Sequence, residues 1–186
     1  MARILLLYSS VYGHSRRISE RLQAHLVRHG AAAEVAAITD AGPDPAAFDA
    51  VVIGASIRHG KHHPAVMDYI RRHLALLQGK PSAFFSVNLV ARKPTRNTRE
   101  TNPYLRRFMA QCPWQPKLQG VFAGELDYAR YGPLDRRMMQ FVMWLNKGPT
   151  DPAAKVEFTN WNEVERFAAQ VAALVNVAPG PAAAAR

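Results

Sequence analysis

The sequence predicts an α/β protein: a doubly wound parallel sheet of five strands, covered by helices on both faces, in a single domain. Two observations predict it. Segments that are apolar throughout alternate with segments whose apolar residues recur at helical spacing, the pattern of a parallel sheet buried on both sides. The first apolar segment also runs straight into a short turn of hydroxyl residues around one glycine, Ser9-Ser10-Val11-Tyr12-Gly13-His14-Ser15, which opens a helix. Such a turn lies at the carboxyl end of a central strand, where sheets of this kind bind ligands. At 186 residues the chain has room for one full core and not for two.

Taken in order, residues 3–8 form a buried strand and 15–29 a helix ended by Gly30, with Ile18, Leu22 and Leu26 facing the sheet. Residues 33–38 make a second strand, followed by a Gly-Pro-Asp-Pro turn at 42–45. Residues 50–54 ("AVVIG") form a short apolar third strand. Pro64 starts a helix running to Gln78, which Gly79-Lys80-Pro81 ends. The fourth strand is 82–87 ("SAFFSV") and the fifth 120–124 ("GVFAG"). The last helix begins at Asn160 or Trp161 and carries Val164, Phe167, Val171 and Leu174 at helical spacing. With the turn after the first strand, the expected order is 2-1-3-4-5, and the ligand lies where the loops after strands one and three diverge. The domain is expected over 1–178, with the tail from Pro179 frayed. Two stretches exceed a minimal domain of this kind, 88–118 and 125–155, and long insertions in compact domains are usually functional or disordered.

Composition narrows the class of partner. No apolar run reaches the roughly 18 residues needed to span a bilayer, and the five apolar residues after Arg3 are too few for a signal peptide. The one cysteine, Cys112, forms no internal disulfide and fits a reducing compartment. The expected location is the cytoplasm or the inner face of its membrane. A net charge of +10 favours anionic partners. Much of it falls between Arg92 and Arg107, where Arg92, Lys93, Arg96, Arg99, Arg106 and Arg107 face only Glu100. In the second insertion, 134–146 reads as a helix apolar almost all round. Leu134, Met138, Phe141, Val142 and Leu145 form one face, Met139 and Met143 extend it, and Trp144 sits within a narrow polar stripe of Arg137, Gln140 and Lys147. Such a helix packs over the sheet edge, meets a second copy in a homo-oligomer, or lies in a lipid surface with Arg136, Arg137 and Lys147 near headgroups.

The turn at 10–15 lacks the lysine of a triphosphate loop and the three glycines of a dinucleotide loop. Hydroxyls and backbone amides at a helix start suit a monophosphate. The second piece is "GASIRHGKHHP", residues 54–64. Its His59, His62 and His63 have no acidic or cysteine partner close in sequence, so no metal is expected. Arg58, Lys61 and the histidines suit carboxylates or a reduced, anionic flavin instead.

Ser10-Val11-Tyr12-Gly13-His14-Ser15 resembles the flavodoxin phosphate loop, which wraps the phosphate of FMN, with Tyr12 where threonine is usual. The segment "PSAFFSVNLVARKPTRNTRETNPYLRRF" (81–108) is foreign to ordinary flavodoxins. Together with "VVIGASIRHGKHH" and the apolar insertion, it resembles the flavodoxin-like, quinone-dependent protoporphyrinogen IX oxidase (dehydrogenase) family of bacterial heme synthesis. The resemblance implies FMN as cofactor, protoporphyrinogen IX as substrate, and menaquinone or ubiquinone as electron acceptor. It also implies peripheral attachment to the cytoplasmic face of the inner membrane, with no nucleic acid. On this reading Ser10, Tyr12, Gly13, His14 and Ser15 hold the FMN phosphate. Ala55, Ser56, Ile57 and Arg58 flank the ring from one side, and Ser86, Val87, Asn88 and Leu89 from the other. Arg92 and Lys93 receive substrate propionates. Leu134, Met138, Phe141, Val142, Trp144 and Leu145 touch lipid. Arg58, His59 and His62 are candidates for catalysis by position only. The residues alone leave open a general FMN-dependent NAD(P)H:quinone reductase, a flavodoxin-type electron carrier, or a nucleic-acid-binding module on the 92–107 stretch.

Overall fold

The structure, a computed structural model, describes residues 1–39 and 42–175; the tail expected to fray lies outside them. In chain order the first half contains β1 (Arg3–Ser9), α1 (His14–Arg28), β2 (Ala32–Ala37), β3 (Ala50–Arg58), β4 (Lys61–His62), α2 (Pro64–Arg72), α3 (Leu74–Gly79) and β5 (Ser82–Val87). The second half adds α4 (Pro103–Gln111), β6 (Leu118–Phe122), β7 (Glu125–Asp127), α5 (Pro133–Leu145), β8 (Lys155–Glu157) and α6 (Trp161–Leu174). The main sheet runs β2-β1-β3-β5-β6, all parallel, which is the 2-1-3-4-5 order expected from the sequence.

Alternation along β1 builds both layers of the core. Ile4 and Leu6 pack with Ile18, Leu22 and Leu26 of α1 and Val164 and Phe167 of α6. Leu5 and Leu7 face the other way, into Val66, Tyr69 and Ile70 of α2 and the fully buried Trp114. Each aliphatic side chain so buried contributes about 1.5–3 kcal/mol. At mid-strand, Gly54 pairs with Phe85 in β5, and a Cβ there would lie 1.9 Å from the Phe85 ring. The glycine in "VVIGASIR" is therefore where the Phe85 ring crosses β3.

Four expectations change. The third strand does not stop at Gly54 but runs to Arg58, because β4 folds back on it as a hairpin. The turn uses two residues in the left-handed region, His59 (φ 49) and Gly60 (φ 77), the signature of a two-residue hairpin that matches strand twist. The helix expected over 64–78 breaks at His73, whose ψ of 19° interrupts α2 before α3. The fifth strand lies at Leu118–Phe122, two residues early. The 88–118 insertion contains α4, capped by Asn102, whose side chain accepts from the Leu105 N–H.

Candidate functional site

The turn after β1 is an anion cradle. Gly13 caps α1 at φ 84, a conformation that glycine adopts without strain, and, lacking a side chain, offers no side-chain acceptor to the helix's first N–H groups. The Ser15 N–H donates to Ser10 Oγ (3.3 Å), while Ser15 Oγ is buried without a partner among the described residues. A phosphate at this place would meet the free amides and the positive end of the helix dipole, with the Ser15 hydroxyl as a further donor beneath them. The residues present therefore fit the phosphate of a flavin nucleotide.

Two side chains of the turn go elsewhere than the sequence suggests. Tyr12 OH donates to Asp135 Oδ2 (3.3 Å), away from the cradle. His14 Nε2 lies 2.6 Å from Thr159 Oγ1, and that hydroxyl in turn donates to Ala123 O (2.8 Å). The imidazole therefore donates through Nε2, and burial, reinforced by Arg17, pushes its pKa down. His14 contributes its backbone at the helix start and braces the loop with its ring.

Beyond the cradle a cavity of about 470 Å³ opens between the strand ends and α5. Ser10, Ser56, Ile57, Arg58, Val87, Asn88 and Leu89 line the sheet side. Ala55 and Ser86 do not line it: Ala55 is buried within the sheet, and Ser86 lies behind the wall with its Oγ 3.0 Å from His62 Nε2. Ala55 and Ser86 are paired neighbours on β3 and β5, inside the sheet and short of the strand ends where the cavity opens. His62 is likewise set behind the wall, edge-on to Phe84 and Phe108, and burial holds its pKa down at about 4. The wall is pinned by a buried amide pair. Asn102 Nδ2 donates to Asn88 Oδ1 (3.0 Å), and Asn88 Nδ2 donates to Ser86 Oγ (3.2 Å).

The opposite wall is α5. Its Met139 and Met143 turn inward, and Met138 and Val142 line the cavity mouth. Leu134 (82 % exposed), Phe141 (59 %), Trp144 (65 %) and Leu145 (60 %) point outward. The helix is thus not packed over the sheet edge through its main apolar face: Met139 and Met143 pack with Leu126, Tyr128 and Tyr131, and polar ties add to them at its ends. At its start Arg58 Nη2 donates to Asp135 Oδ2 (2.7 Å), and His59 Nε2 lies 3.2 Å from Asp135 Oδ1. Past its other end Arg92 donates to Asn146 O (2.9 Å) and Lys93 to Asn146 Oδ1 (2.7 Å). Gly148 makes room for that guanidinium, since a Cβ there would lie 3.0 Å from Arg92 Nη2. Arg136 does not stand free at the surface; it donates to the Tyr128 carbonyl (3.1 Å).

Arg92 and Lys93 line the cavity and meet only neutral oxygens, with no carboxylate pairing them among the described residues. Asp135, Asn146, Asn102 and Thr159 were not singled out in the sequence. Asn102 before Pro103 is a helix-start signal and was open to discovery; the other three act across more than 50 residues of chain, beyond any local pattern.

A doubly wound sheet with a phosphate cradle after its first strand and an apolar cavity at the switch point defines a flavin-binding α/β protein. Comparison with known proteins agrees. Residues 5–153 match the model of the flavodoxin domain. The chain is 40% identical over 175 residues to protoporphyrinogen IX dehydrogenase (quinone) of Escherichia coli strain K12, covering 94% of this chain and 97% of that protein. It is 41% identical over 184 residues to the protein of the same name in Leishmania major, covering 97% and 80%. Among solved structures, an archaeal flavodoxin superposes with a TM-score of 0.53 at 14% identity, over 92% of this chain and 96% of that one. Flavodoxin 2 of Bacillus cereus superposes with 0.52 at 16%, over 92% and 99%; both share the fold. The chain belongs to the flavodoxin-domain family and, within it, to the family of the quinone-dependent protoporphyrinogen IX dehydrogenases, which are oxidoreductases. Flavodoxin-domain membership indicates FMN as the cofactor.

Proposed function

We propose that this chain oxidises protoporphyrinogen IX to protoporphyrin IX and passes the electrons to a membrane quinone, menaquinone or ubiquinone. One observation carries the reading: the cavity joins the phosphate cradle to an apolar helix, with two cations, Arg92 and Lys93, that no carboxylate among the described residues neutralises. An apolar macrocycle bearing propionates needs that combination. FMN supplies the redox step, taking electrons two at a time, so full aromatisation takes repeated cycles. The protein's part is placement. The Ser10–Ser15 turn would hold the phosphate, and Ser56, Ile57, Val87, Asn88 and Leu89 would wall the ring. Arg92 and Lys93 would orient the propionates, and Met139 and Met143 would exclude water from the macrocycle.

The outward side chains of α5 support contact with the membrane in which the quinone dissolves. No helix among the described residues is long and apolar enough to cross a bilayer. The 13-residue α5 would lie in the surface, with exposed Arg137 and Lys147 toward anionic headgroups. Replacing Phe141 and Trp144 with Asp should move the protein from sedimented vesicles to the supernatant. Unchanged partitioning, or loss of self-association instead, would reassign the face to another surface or to a second copy.

The principal test is anaerobic. FMN-loaded protein with protoporphyrinogen should develop porphyrin fluorescence that depends on an added menaquinone analogue. Bound flavin without that fluorescence, accompanied by consumption of NAD(P)H, would make the protein a general quinone reductase.

A further inference from the structure

Three donors from two separate loops converge on one carboxylate at the cavity rim. Arg58 Nη2 lies 2.7 Å and Tyr12 OH 3.3 Å from Asp135 Oδ2, and His59 Nε2 lies 3.2 Å from Oδ1. All four residues line the cavity. We propose that Arg58 and His59 form a carboxylate subsite which Asp135 occupies as an internal competitor, and which a carboxylate-bearing apolar ligand enters by displacing Asp135. The inference rests on the proposed substrate only for the ligand's identity; the subsite itself rests on geometry.

The pair is fixed in position. Arg58 and Lys61 face each other across the β3–β4 hairpin, and His59 is held in the left-handed region at its tip. A side-chain-bearing residue in that conformation is strained, and such strain collects at ligand-binding places. The backbone thus presents both donors from one turn toward one place, where Arg58 and His59 can meet a carboxylate together.

The resident contact is also weak enough to exchange. The Arg58 side chain is 48 % exposed and that of His59 55 %, so water and salt screen their attraction to Asp135. A ligand carboxylate attached to an apolar body gains burial in the cavity besides the same hydrogen bonds, and so outcompetes an acid that brings no apolar surface. The other cationic pair, Arg92 and Lys93, has no such competitor: its partner Asn146 is neutral. One cavity thus holds an open cationic place and a self-occupied one.

The test uses FMN-loaded protein and two fluorescent probes, 1-pyrenebutyrate and deuteroporphyrin, each compared with its methyl ester. Asp135→Asn should tighten binding of both acids about five- to tenfold and leave the esters unchanged. Arg58→Gln should weaken the acids alone, and the gain from Asp135→Asn should vanish in the Arg58→Gln background. If Asp135→Asn shifts acid and ester equally, or loosens the acids, Asp135 is a structural tie and the subsite is overturned. Persistence of its gain without Arg58 overturns it as well. Acid-selective gain for pyrenebutyrate, with no porphyrin binding to any variant, upholds the subsite while rejecting the substrate reading. Flavin absorbance retained by each variant reports that the fold is intact.

Discussion

The two walls of the cavity are held by different physics. The sheet wall rests on buried polar groups, Ser86, Asn88 and Asn102, each hydrogen-bonded inside the protein. The α5 wall rests on Met143, packed with Leu126, Tyr128 and Tyr131, and on polar ties near its two ends, the half-exposed Arg58 with Asp135 and Lys93 with Asn146. A buried group left without its partner costs about 1–3 kcal/mol, whereas an exposed ion pair contributes about 0–1 kcal/mol. Changes to the sheet wall should therefore register as stability. Changes to the α5 wall should register as ligand recognition.

The sharpest probe of the sheet wall is acid. His62 is neutral in the folded protein because burial lowers its pKa from 6.5 to about 4. The unfolded chain takes up this proton near pH 6.5 and the folded chain does not, so stability is complete above that pH and falls as pH drops toward 4. The loss from this group amounts to about 3 kcal/mol. Denaturant titrations at pH 7 and pH 4.5 should show a smaller acid loss for His62→Gln than for the parent. His14, with its pKa also lowered, adds to the slope of both proteins and cancels in the difference. Parallel pH curves would mean that the wall accommodates a charged imidazole.

The α5 wall should respond in the opposite way. Charge reversal at Arg92 and Lys93 should lower kcat/KM for protoporphyrinogen by roughly 100-fold or more, as expected for losing two charged hydrogen bonds of about 1.5–3 kcal/mol each. Bound FMN should barely change, while the unfolding midpoint should fall modestly, since both side chains lose their hydrogen bonds to Asn146. Loss of FMN in place of turnover would move these residues to the cofactor and collapse the distinction between the walls.

The two walls also differ in how readable they are. Strand order, both core layers and the anion cradle follow from periodicity and one turn, all local signals. Position 58 shows where locality ends: the apolar run stops near Ala55, yet hairpin pairing with β4 carries the strand to Arg58 and leaves Ala55 inside the sheet. The α5 helix was readable as a helix and its outward face as apolar, but not what ties it down. Asp135 meets Arg58 across 77 positions, and Lys93 meets Asn146 across 53. No spacing rule reaches that far. The helical pattern of 134–146 says which residues share a face, not which face the protein covers.

The smallest expected effect tests the cradle where the walls meet, and it has two signs. Ser15 Oγ is buried and has no partner among the described residues, so Ser15→Ala removes a polar group that gains nothing in the FMN-free protein. That protein should become more stable, by up to about 1 kcal/mol, because an unsatisfied buried hydroxyl is lost. FMN affinity should fall about tenfold, the equivalent of one hydrogen bond to a charged phosphate, or about 1.4 kcal/mol. Ser19 provides the control: its Oγ is equally buried and unpartnered, one turn further along α1. Ser19→Ala should share the gain in stability and leave FMN binding untouched, as read by melting curves and flavin fluorescence titration. If both variants lose FMN alike, the helix start as a whole and not the Ser15 hydroxyl holds the phosphate. A Ser15→Ala protein that binds FMN normally would leave the backbone amides to do so alone.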